Sequence, residues 1–200
     1  PRYSQKNDDL EVRESRDFQS FHNFLRASRV FLDGPLIEKI EAAYARQFDS
    51  PKRRDGAAPR SIEDALPFFD NLPQFQLYQW MYRHLQQFKY SRNDLGIVAT
   101  VDRDHRRLEG QIEEASEHSQ GTLCLNPDLV LPDYYRMVDF HQQPGGVWSD
   151  SLAGLVYEMG RRTTVPQHAD LNAVYHILFD ALPRDKTYDH VLDWGTGIGS

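Results

Sequence analysis

The residues best suited to chemistry stand together in the segment VLDWGTGIGS, where Asp193 is followed by glycine at alternate positions, Gly195, Gly197 and Gly199. A short apolar strand that ends in an acid and enters such a loop is how open α/β sheets seat nucleotides. Positions without side chains let the ligand approach the backbone. A dinucleotide fingerprint asks for glycine at the first, third and sixth places. Here the sixth place is Ser200, and the additional glycine falls at 199. A carboxylate at Asp193 repels a pyrophosphate if it faces the pocket, and attracts a cationic amino group. The pattern favours a nucleotide that carries an amino acid over a dinucleotide.

With those residues in view, VLDWGTGIGS resembles the first motif of class I S-adenosylmethionine-dependent methyltransferases, a strand followed by acid-x-Gly-x-Gly-x-Gly. The amphipathic stretch 169–182 stands where that family packs a helix before its first strand. The resemblance implies that Asp193 helps hold the methionine ammonium of S-adenosyl-L-methionine. It further implies that Gly195, Thr196 and Gly197 bring backbone close to the methionine and ribose, and that Gly199 serves the turn into the next helix. The match is strong over 191–200 and loose over the helix before it. The family's remaining strands would follow Ser200, so the resemblance implies the N-terminal portion of a longer enzyme, truncated near the cofactor loop. The acid that binds the ribose hydroxyls in that family has no counterpart here.

Upstream, DYYRMVDFHQQPGG gathers hydrogen-bonding groups beside a Pro-Gly-Gly turn. His141 is the candidate general base, histidine being the side chain suited to that role near neutral pH, with Tyr134 and Tyr135 as candidates for orienting an acceptor. The competing reading for each is a satisfied polar residue near a helix end. His105 and His118 lie in a charge-alternating stretch with no acid or cysteine at ligand spacing, so no metal site is expected. His168 and His176 are weaker candidates. Tyr157 and Arg161 precede the expected strand, but spacing alone does not place them.

The elements that must position these groups are mostly helical. Phe18, Phe21, Phe24 and Leu25 recur at helical steps from Asp17. Asp33 reads as an N-cap with Pro35 in the first turn of a second helix, whose apolar face is Leu36, Ile37, Ile40, Ala43, Tyr44 and Phe48. The stretch 49–60 has loop composition. Ser61 with Asp64 resembles a capping box for a short helix that Pro67 should interrupt. The aromatic stretch 73–88 reads as core before it reads as a binding cleft. Asp150 suits the cap of a further helix, 169–182 is an amphipathic helix, and HVLDWG is a buried-type strand. The expected fold is therefore a mainly α N-terminal domain leading into the start of an α/β Rossmann-like fold. Residues 1–148 would form the helical domain, a substrate lid or dimerisation unit, and 149–200 would begin the cofactor domain.

Bulk properties bound the function. The 200 residues are 40% hydrophobic with a net charge of −7, ordinary for a globular chain. Beyond PKRR there is no basic cluster, which disfavours nucleic acid. No apolar run approaches the roughly 20 residues of a membrane span, and nothing resembles a signal peptide. Cys124 is the lone cysteine, so no internal disulfide forms and a cytoplasmic setting is expected. The leading expectation is methyl transfer to a small molecule, with a homodimer allowed. The alternatives are an NAD(P)-dependent oxidoreductase using the same glycine loop, and a non-catalytic helical interaction module built on the aromatic stripe.

Overall fold

The computed structural model describes residues 12–48, 59–91, 93–118, 122, 124–164 and 173–194. Within them the chain is helical. Its elements are α1 (Arg16–Phe31), a π-turn (Leu32–Leu36), α2 (Ile37–Phe48), α3 (Ile62–Asp70), α4 (Pro73–Lys89), α5 (Ile97–Arg103), α6 (His105–Glu117), α7 (Tyr134–Met137), a 3-10 turn (Phe140–Gln142), α8 (Ala153–Thr164) and α9 (Ala173–Ala181).

Helix α1 begins where Ser15 accepts the Phe18 amide on its hydroxyl at 3.0 Å. It does not stop at Asp33. The helix runs on through the π-turn into α2, and Asp33 pairs with Arg29 at 2.6 Å instead of capping. Pro35 cannot donate and its ring crowds the preceding turn, and the wider π-turn accommodates it. Leu32 and Leu36, both buried, hold the joint closed. Ser61 does cap α3, accepting the Asp64 amide at 3.3 Å, yet Pro67 sits inside that helix and does not interrupt it.

Two hydrophobic clusters form the core. One joins Phe18, Tyr90, Ile97, Val101, Leu108, Leu152, Val156 and Met159, so α1, α5, α6 and α8 meet there. The other joins Leu25, Leu32, Leu36, Ile40 and Leu85, with Phe75, Tyr78 and Tyr82 of α4 packed against it. Each fully buried Leu or Ile contributes roughly 1.5–3 kcal/mol. Helix α1 passes through both clusters, and α4 reaches from the second to the first through Tyr90 at its end, so the two are bound together. A side chain at Gly160 of α8 would strike the Tyr90 ring, with the hydroxyl oxygen 2.2 Å from an added Cβ. Glycine is therefore what lets α8 close onto the end of α4.

The expected Rossmann-like sheet is overturned. No strand occurs among the described residues, and 191–193 carries no regular structure. Val191 is 79% exposed, Leu192 81% and Trp194 89%. Apolar, β-branched composition favours a strand only when a neighbouring strand takes up its backbone groups, and none is present among the described residues. Of the helix expected over 169–182, 169–172 lie outside the described residues, and the described part forms as α9. Its Ile177, Leu178 and Phe179 are all exposed.

Candidate functional site

Asp193 lies in irregular, exposed chain beyond α9. Among the described residues its carboxylate has no hydrogen-bond or ion-pair partner. Gly195, Thr196, Gly197 and Gly199 lie outside the described residues.

The turn expected to carry the acceptor side is built from aromatic packing. Tyr134 and Tyr135 lie 4.9 Å apart by ring centroid, and Tyr135 meets Phe140 at 5.3 Å and Trp148 edge-on at 4.6 Å. The buried Gln143 side chain donates to the carbonyls of Gly146 and Ala153, both at 2.9 Å, which ties the turn to the start of α8. Asp139 accepts the Gly145 amide at 3.0 Å. At Asp150, the side chain accepts the Leu152 amide at 2.8 Å and so starts α8. His141 and Gln142 hold left-handed backbone at φ 55° and 59°, a conformation that costs non-glycine residues on the order of 1 kcal/mol or more. Gln86 of α4 clamps the His141 carbonyl with a 2.7 Å hydrogen bond, and the His141 ring faces Tyr157 of α8 at 5.5 Å. Tyr134, Tyr135 and His141 thus share one turn, with His141 on a separate ring contact. No hydrogen bond, ion pair or ring contact joins Asp193 to this turn among the described residues.

Of the other residues singled out, His105 is half-exposed beside Glu109 at 3.2 Å, and the His118 ring meets the Glu114 carbonyl at 2.8 Å. Arg161 pairs with Glu158 at 3.3 Å. His176 is exposed on α9, and His168 lies outside the described residues. No three histidine, cysteine or acidic side chains gather to hold a metal among the described residues.

A second region was passed over by sequence reasoning. His22 of α1 is only 6% exposed, stacked on Phe18 at 4.0 Å, with Nδ1 3.2 Å from the Thr163 hydroxyl of α8. Burial lowers its pKa to about 4; a hydrogen bond with the Leu95 backbone opposes this, and the charges of Arg26 and Lys89 reinforce it. Lys89, 2% exposed, donates to the Thr164 hydroxyl at 2.6 Å and the Gly160 carbonyl at 3.2 Å. Burial, aided by the charge of Arg29, lowers its pKa to about 7. A signal for both was present. His22 falls four after Phe18 and three before Leu25, and Lys89 falls four after Leu85, so each ionisable group interrupts an apolar stripe.

No known protein family, no curated protein and no solved structure matches the chain. No helix of the described residues is long and apolar enough to cross a membrane.

Proposed function

We propose that the chain takes part in S-adenosylmethionine-dependent methyl transfer to a small-molecule acceptor. The observation that carries the reading is Asp193, an exposed carboxylate with no partner among the described residues, followed at once by the alternating glycines. With the sheet gone, this reading stands on residue pattern and not on fold. The donor set fits the cofactor's amino-acid end, because a free carboxylate is what an ammonium group requires. Leu192 and Trp194 beside it add exposed apolar surface. When bound, the cofactor supplies an electrophilic methyl group on a sulfonium.

The chain's own residues then have distinct tasks. Asp193 would hold the ammonium, and by the pattern of the motif Gly195, Thr196 and Gly197 would offer backbone to the methionine and ribose, with Gly199 serving the turn. Tyr134 and Tyr135 orient the acceptor, and His141 takes its proton at a ring nitrogen. The clamp of Gln86 on the His141 carbonyl fixes where that ring stands. The exposed free Cys124 suits a reducing, cytoplasmic setting.

Isothermal titration with S-adenosylmethionine, S-adenosylhomocysteine and NAD tests the reading. Heat from the first two, lost in Asp193→Ala, is the expected result. Heat from NAD alone selects the oxidoreductase alternative. A second reading, a helical interaction module, is favoured by Trp80, which is 59% exposed on α4 with the His84 ring tilted against it at 4.3 Å. Under that reading Trp80→Ala dissociates an oligomer and Asp193→Ala changes nothing.

A further inference from the structure

We propose that the cleft between α1 and α8 is a binding site for a small molecule carrying a carboxylate or phosphate group. The cleft encloses about 310 Å³, the lower end of the range for ligand sites and suited to a small metabolite. Two helix faces build it. Gln19, His22, Asn23 and Arg26 recur at helical spacing along one side of α1, opposite Arg162 and Thr163 of α8. Arg26 hydrogen-bonds the neutral Asn23 amide and has no carboxylate partner among the described residues. Arg162 reaches Glu158 at only 3.9 Å, while Arg161 holds the same carboxylate group more closely at 3.3 Å. Both arginines therefore keep donors for a planar, two-oxygen acceptor, the geometry a guanidinium matches best. Glu14 is the acid on the cleft wall, one negative charge against two positive.

The floor supports the same ligand class. His22 and Thr163 are both buried there and hydrogen-bonded to each other, and His22 Nε2 is enclosed without a well-aligned partner. Lys89 lies behind them on Thr164. An anion in the cleft lowers the cost of positive charge at all of these groups. Phe18 and Met159 supply a limited apolar wall for the rest of the molecule. The site does not depend on the methyl-transfer reading, and its residues are separate from Asp193 and from the 134–148 turn.

The test titrates the full chain with inorganic phosphate and, separately, with malonate, against potassium chloride at matched ionic strength. The readouts are thermal stability and the ring resonances of His22. A saturable rise in melting temperature with movement of the His22 signals is expected for at least one anion, and which anion responds identifies the headgroup. Arg26→Gln and Arg162→Gln, made singly, should each weaken binding about tenfold, the scale of one lost charge-assisted hydrogen bond. Arg26→Lys, which keeps charge but not the fork, should fall between. Arg184→Gln, on an exposed arginine paired with Asp180, should bind as the parent does. If neither anion saturates, or if the two cleft variants bind as the parent does, the proposal is overturned.

Discussion

Lys89 and His22 carry basic groups into the interior with no carboxylate beside them among the described residues, and the pH dependence of stability follows from that. Lys89 has its folded pKa lowered from 10.5 to about 7. Between those values the unfolded chain binds more protons, so stability rises with pH across the window and is lost as pH falls toward 7. His22, lowered from 6.5 to about 4, repeats the pattern in acid: its contribution is complete above 6.5 and lost as pH falls toward 4. The full change is on the order of 5 kcal/mol for Lys89 and 3 kcal/mol for His22. Burial raises the Tyr90 pKa above its ordinary 10.0, so its contribution is lost as pH rises beyond 10. Urea denaturation between pH 7 and 9.5 therefore isolates Lys89. The parent should gain stability through this range, and Lys89→Met should flatten the curve and be at least as stable as the parent at pH 7. A parent curve that is flat or falling there would mean that the ammonium is better solvated than its surroundings indicate.

The turn between α7 and α8 places two residues of opposite consequence side by side. Gln142 occupies left-handed backbone and is exposed, whereas Gln143 is buried and satisfies two carbonyls at once. Gln142→Gly should raise stability by about 0.5–1 kcal/mol by relieving that conformation. Gln143→Ala should cost about 2 kcal/mol by removing the hydrogen bonds to the carbonyls of Gly146 and Ala153 that tie the turn to α8. Shifts in urea midpoint of the same sign in both variants would show that the turn is not held as described. Elements of this kind differ in how far the sequence discloses them. Ser61 as a cap and the apolar face of α2 are legible because their causes are local. Asp33 and Pro67 misled as punctuation because tertiary burial of Leu32, Leu36 and Ala65 outweighs the local signal to stop. The strand at 190–195 misled for a related reason: its composition is local, but a strand is a pairing, and the partner is not in the composition. Of the candidate site, the aromatic turn around Tyr134, Tyr135 and His141 was visible as a motif. The α1–α8 cleft was not, because it appears only when two distant helix faces meet.

Across the whole molecule, the two hydrophobic clusters are tied by α1 and α4, while among the described side chains 176–194 contributes no residue to either. Its apolar side chains from Ile177 to Trp194 are exposed, a larger unpartnered apolar stretch than isolated domains ordinarily tolerate. The chain should therefore open in two tiers. Chymotrypsin should cut first at Phe179, Tyr188, Leu192 or Trp194, where backbone opens at little cost. The large fragment should melt as the intact chain does. Leu25→Ala, by contrast, removes a side chain with no exposure at all and should destabilise the chain by roughly 2–4 kcal/mol. The same digestion bears on the proposed cofactor end. If Asp193 and the glycines hold S-adenosylmethionine, adding it should slow cleavage at Leu192 and Trp194 while leaving cleavage at Phe179 less affected, because a ligand protects what it orders. Equal rates at every position with and without the cofactor would separate Asp193 from the cofactor and leave the helical clusters as they are.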